Sequence, residues 1–171
     1  MKPSVVLVLV MALALSACGT TTAPPPRAAE HPLAPQQMLA QVRAAGETGN
    51  EVNVQPLRDE NVEDLRDRAR VAEAANDIAR ANDALAKALV YSPNDPDLLQ
   101  WQAELALLAK AWLQAEVLAQ RSYQAGPKLG GLCRRNWTTI KLSREARGDR
   151  ANLAIAEQRL ASCTVAPPVR M

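Results

Sequence analysis

The sequence predicts an all-α fold, with about three helical hairpins stacked as a short superhelix and preceded by a disordered tether. Three observations carry this expectation. From Asn61 to Cys163 the composition turns to Ala, Leu, Arg, Glu and Asp at helical spacing, with no long β-branched run, and Phe is absent from all 171 residues. Apolar groups that recur every three or four residues mark one face of a helix. Two proline-bearing breaks, "VYSPNDPDLL" and "YQAGPKLGG", set Pro93 and Pro127 34 residues apart, and a fixed period of this size signals stacked repeats. Residues 19–35, GTTTAPPPRAAEHPLAP, hold five prolines and little to bury, the composition of an extended polyproline-like spacer.

The chain opens with Lys2 and an unbroken apolar run from Val5 to Leu15. Those eleven residues rise about 16 Å as a helix, too little for a hydrocarbon core of about 30 Å. They read as a secretory signal and not as a membrane span. The run ends Leu15-Ser16-Ala17-Cys18, which resembles the lipobox of bacterial lipoproteins. The resemblance implies that residues 1–17 are removed as a signal peptide. Cys18 then becomes the first mature residue and carries a diacylglycerol and an N-acyl chain such as palmitate, enough acyl chains for stable anchoring. Gly19, in place of the aspartate that retains such proteins at the inner membrane, implies the outer membrane, facing the periplasm. An ordinary signal followed by an accidental cysteine is the alternative.

Residues 18–60 are expected to form the lipidated N-terminus and Pro-rich tether. His31 lies within it and reads as a solvated loop residue. Residues 36–46, QQMLAQVRAAG, suit a short helix that ETGN then breaks, and the sequence leaves open whether this helix docks on the head. EVNVQPL, 51–57, alternates like a strand, but Pro56 and the lack of a partner strand favour an ordered loop.

With Cys18 acylated, Cys133 and Cys163 are the remaining thiols. In the oxidising periplasm an even, unclaimed pair reads as a disulfide. A zinc site is the alternative, but two cysteines and the distant His31 cannot supply four ligands. No metal is expected, and no cofactor beyond the covalent lipid on Cys18.

The head, 61–163, begins its punctuation at Pro93, which follows the end of one helix. Asn94 or Asp95 can cap the next, Pro96 suits its first turn, and Asp97 complements the positive helix end. Setting Pro93 and Pro127 at position 32 of a 34-residue unit gives units at 62–95 and 96–129. Small residues then fall at positions 8, 20 and 27: Ala69, Ala81 and Ala88, then Ala103, Ala115 and Ser122, with Leu65 and Leu99 at position 4 and Leu85 at position 24. Paired helices cross closely where side chains are small, and larger apolar groups fill the gaps alongside. This pattern resembles the tetratricopeptide-repeat (TPR) family. It departs from it at position 11, where Ala72 and Ala106 replace a usual Tyr, and in lacking Gly at position 8.

The third unit is irregular, because KLGGL lengthens the connection. A helix over 133–147, a break at Gly148-Asp149 and a helix over 150–163 form a hairpin that brings Cys133 and Cys163 side by side. Residues 164–171, TVAPPVRM, read as a flexible tail. Trp112 is expected in the core, as are Trp101 and Trp137.

No catalytic constellation occurs. The sequence lacks G-x-S-x-G, H-E-x-x-H and Cys-x-x-Cys, and GPKLGG lacks the G-K-S/T ending of a phosphate loop, so no enzyme is expected. Paired charges on the helices, such as Glu63 and Asp67 beside Arg66 and Arg70, read as solvated faces. The TPR resemblance implies a protein-protein interaction module with a concave groove lined by the first helix of each unit. Carrying the family's groove positions onto this chain selects Glu63, Arg66, Arg70 and Glu73, then Asp97, Gln100, Glu104 and Leu107, and in the third unit Arg134, Arg135, Thr138 and Lys141. Charge is uneven along the head: residues 47–77 carry a net −5 and residues 128–150 a net +5, an asymmetry able to steer a partner.

The anchor, tether and small head, with the terminal pattern "LCRRNW…GD…A…RL…C", resemble the LpoP-type outer-membrane lipoprotein activators of class A penicillin-binding proteins. That resemblance implies an envelope partner, a class A penicillin-binding protein, which performs glycan polymerisation and crosslinking while this chain stimulates it by contact. It implies no nucleic acid and no small-molecule substrate. The alternatives are a pilotin-like lipoprotein for type IV pilus or secretin assembly, or another envelope scaffold.

Overall fold

The computed structural model describes residues 33–49, 51 and 57–164. The expected signal peptide, Cys18, the expected spacer with His31, most of EVNVQPL and the residues from 165 onward lie outside the described residues. The described residues form α1 (Pro35–Glu47), α2 (Glu60–Ala74), α3 (Ile78–Tyr91), α4 (Pro96–Leu108), α5 (Trp112–Ala125), α6 (Gly130–Arg147) and α7 (Arg150–Ala161). Three TPR-like hairpins follow, α2/α3, α4/α5 and α6/α7, and each packs on the next.

Aspartates start four of these helices. Asp59, Asp77, Asp95 and Asp149 each accept a hydrogen bond from a backbone N–H of the helix they precede, the preferred way to satisfy an orphan donor. In the VYSPNDPDLL break Asp95 is the cap, and Pro96 occupies the first turn.

The turn inside each hairpin repeats the same backbone device. Asn76 (φ 58°), Lys110 (φ 59°) and Gly148 (φ 69°) are left-handed, and the next N–H reaches back across the turn: Asp77 to the Ala72 carbonyl, Ala111 to Ala106, Asp149 to Arg144. This is the Schellman closure of a helix. Asn76 and Lys110 are one 34-residue period apart, and Gly148 comes four residues late, which accounts for the slip of the third unit. Its first helix also starts at Gly130, three residues before the expected 133.

The small-residue positions do what the repeat requires. Ala69, Ala81, Ala88, Ala103, Ala115 and Ser122 all have 0% exposure. Ser122 Oγ donates to the Pro96 carbonyl at 2.7 Å, tying α5 to the start of α4. Leu98 and Leu105 of α4 join the apolar cluster of the first hairpin, while Leu99, Ala103 and Leu107 join a second cluster. α4 therefore welds the two. Trp137 is buried and meets the Tyr123 ring edge-on at 5.1 Å, whereas Trp112 is only half-buried at the margin of that cluster.

The sequence leaves the docking of the first helix open, and the structure shows where it lies. Helix α1, expected within a tether reaching residue 60, lies against α6 and α4, with Met38 and Val42 buried in the second cluster. A helix this short is marginal alone, but burying two such side chains contributes about 3–6 kcal/mol. The crossing is tight: a Cβ on Gly131 would stand 2.4 Å from the Gly46 carbonyl oxygen, so only glycine fits there.

Cys133, near the start of α6, is bonded to Cys163 beyond α7, with Cα atoms 5.6 Å apart. Gly130 N–H donates to the Cys163 carbonyl at 2.8 Å and closes the same end of the hairpin. α7 contributes only Ala156 to the buried set, so this terminal helix depends on the crosslink, which contributes roughly 3–4 kcal/mol in the chain-entropy view. Cys133→Ser is expected to lower the thermal midpoint under oxidising conditions and to match the unmodified chain in reductant; equal loss in both would mean that no disulfide forms. Lys110→Gly removes a left-handed lysine and is expected to stabilise the protein by about 1 kcal/mol, read from urea unfolding.

Candidate partner-binding groove

The first helices of the hairpins, α2, α4 and α6, carry the twelve positions selected from the family pattern, and the structure divides them. Gln100, Glu104 and Leu107 of α4 are fully buried, and Arg134 and Thr138 of α6 are buried too. Arg135 and Lys141 are half-buried. On α2, Glu63 and Arg70 are exposed, while Arg66 and Glu73 are half-buried, as is Asp97 at the start of α4. The expectation of an open groove over all three helices is corrected for α4 and α6, because α1 of the same chain lies over them.

Glu104 is the centre of that contact. Its side chain has no exposed surface, and a buried carboxylate needs cations and donors around it. Arg43 of α1 donates to Oε2 at 3.1 Å, and Arg135 of α6 donates to Oε1 through Nε at 2.8 Å and Nη2 at 2.6 Å. Gln100 Nε2 reaches Oε1 at 3.1 Å and Thr139 Oγ1 at 2.9 Å. Burial alone would lower the Arg43 pKa, but Glu104 and Glu73 outweigh it and raise the value.

Glu73 extends the network to the first unit. It accepts from Arg43 Nη2 at 2.7 Å through Oε1 and from Trp101 Nε1 at 2.7 Å through Oε2. The Arg66 guanidinium lies 5.6 Å from the centre of the Trp101 ring; its Nε stands 3.6 Å from Glu63, and among the described residues neither Nε nor Nη1 has a hydrogen-bond acceptor. Burial, with Arg58 nearby, lowers its pKa. Trp101 is thus a bridge in the groove and not simply core.

At the other end Arg134 clamps the exit of α1. Its Nε donates to the Ala45 carbonyl at 2.9 Å, Nη2 to the Thr48 carbonyl, and Nη1 to Glu51 at 3.0 Å. A guanidinium aimed at the last carbonyls of a helix satisfies orphan acceptors and complements the dipole.

Two features escaped the sequence reading. Arg58, in the loop before α2, donates to Asp95 at 3.0 Å and to Asp97, and pairs with Glu63 at 3.8 Å, so Asp97 and Glu63 belong to a structural cluster. Several bases of the third unit are paired with acids outside residues 128–150: Glu116 of α5 takes Arg144 and Arg147, Glu51 takes Arg134, Glu104 takes Arg135, and Lys141 lies 3.9 Å from Glu157. Its net charge therefore steers less than the count implies. Among the described residues no cluster of His, Cys, Asp and Glu is arranged to hold a metal ion.

Two substitutions separate the roles in this network. Glu104→Ala strands Arg135 and Gln100 and is expected to destabilise by about 3–5 kcal/mol. Arg43→Ala removes a partly exposed partner and is expected to cost about 1 kcal/mol or less. Denaturant unfolding of both variants checks the order.

No family model matches the sequence, and no curated protein matches it. Among solved structures the chain is similar to the globular C-terminal domain of P. aeruginosa LpoP, with 27% identity and a TM-score of 0.57 over 61% of this chain and 99% of that chain. The similarity spans essentially the whole of that domain and fits the TPR-like hairpins described above.

Proposed function

We propose that this chain is an outer-membrane lipoprotein, anchored through Cys18 and facing the periplasm, whose helical head binds and activates a class A penicillin-binding protein. The observation that carries this reading is the similarity of the head to the whole globular domain of LpoP. It joins the lipobox resemblance at Cys18 and the disulfide between Cys133 and Cys163, which suits an oxidising compartment. No helix among the described residues is long and apolar enough to cross a membrane, consistent with attachment by lipid. The synthase performs the chemistry, and this head contributes binding energy to its active arrangement.

Of the groove positions implied by the family pattern, Glu63 and Arg70 on α2 are exposed and are the candidates for contact. Among the described residues Arg70 pairs with Asp67 alone, three residues before it on the same helix, so its reversal spares the core. The test is a titration of the lipid-free chain into a glycan polymerisation assay with the organism's own class A penicillin-binding protein. A saturable rate increase is expected, with half-saturation moved about two- to fivefold higher by Arg70→Glu. No increase, together with no measurable binding, overturns the reading.

A further inference from the structure

We propose that the groove over α4 and α6 reads a helix, and that α1 is its resident ligand. The ligand class is an amphipathic helix with two apolar side chains four residues apart, an arginine directly after the second, and a glycine four residues beyond the second. In this chain those positions are Met38, Val42, Arg43 and Gly46. The partner it fits is a protein segment with that pattern, which takes the groove by displacing α1. The inference stands apart from the synthase reading, because it concerns what the groove recognises and not what the recognised protein does.

Each position of the pattern has its own receptor. Met38 and Val42 share an apolar cluster with Leu99, Leu107 and Trp137. Arg43 is held between Glu73 and Glu104, two carboxylates contributed by different hairpins. A Cβ on Gly131 would stand 2.4 Å from the Gly46 carbonyl oxygen, and one on Gly46 would stand 2.8 Å from Arg135 Cδ. Arg134 then takes the carbonyls where the helix ends. Apolar anchors, a charge socket, a close crossing and an end clamp together select sequence, which a general apolar surface would not.

The groove is also built to survive loss of its occupant. When Arg43 leaves, Glu104 keeps Arg135 and Gln100 on its other oxygen, and Glu73 keeps Trp101. Neither carboxylate is left alone. Helix α1 is the weaker party: only two of its side chains are buried, against eleven residues of α6. Its advantage over an external helix is the high effective concentration that the short connection to α2 provides.

The test uses the purified chain, residues 18–171, and a fluorescent peptide of residues 33–49. Val42→Asp in the chain unseats α1 and leaves the groove intact, so this variant is expected to bind the peptide at least about tenfold more tightly than the unmodified chain does. Arg43→Glu in the peptide, or Gly131→Ala added to the variant chain, is expected to abolish that binding. A folded Val42→Asp chain that binds no better than the unmodified one overturns the proposal, and so does equal binding of the Arg43→Glu peptide. Should Val42→Asp fail to fold, amide exchange on the unmodified chain decides. α1 amides exchanging roughly tenfold or more faster than those of α4 and α6 support a displaceable ligand, and exchange only through global unfolding overturns it.

Discussion

A carboxylate without any exposed surface dictates much around it, and Glu104 holds that position here. It sits on α4, the helix that joins both apolar clusters, and its partners come from α1 and α6. Desolvating one charge is expensive, and attraction offsets that expense only when donors fill the remaining lone pairs. Arg135, Gln100 and Arg43 do so from three helices, which fixes their relative placement more narrowly than apolar packing alone. The same atoms that satisfy Glu104 thereby define what can lie in the groove.

Around this centre the fold is repetitive in its backbone as well as its side chains. The left-handed residue at each hairpin turn lets the helix close on itself in the same way three times, and the fully buried small residues let the paired helices approach. The third hairpin departs from the period and has a neighbour on only one side. There the stabilisation shifts from packing to a covalent bond and to the buried Glu116 with its two arginines. A repeat array loses packing at its ends, and this one replaces it with linkages that need no further neighbour.

Most of the helices were legible because their signals are local. Aspartate caps, Pro96 at a first turn, the 34-residue period and the small positions all act within one unit. The groove was not legible, because its occupant is contacted across long separations: Arg43 meets Glu104 61 residues away, and Arg134 meets Ala45 89 residues away. QQMLAQVRAAG carries the right periodicity for a helix, but nothing in it says which surface it covers, and the prolines before it suggested a spacer. The family's groove positions say nothing about a helix of the same chain lying across them. Lys110 hid its turn for a different reason, since lysine has no preference for left-handed backbone and only its place in the period marks it.

Docking of α1 also shortens the stretch of chain between Cys18 and the folded helices. For a chain held at Cys18, the path to the folded body ends at Pro35 and not near residue 60, so the contour length available is at most about 60 Å where the longer spacer would have allowed about 150 Å. On the proposed attachment at Cys18, releasing this one short helix would lengthen the available chain contour by more than twofold. The gap that the protein can bridge is written into the same contact that fills its groove.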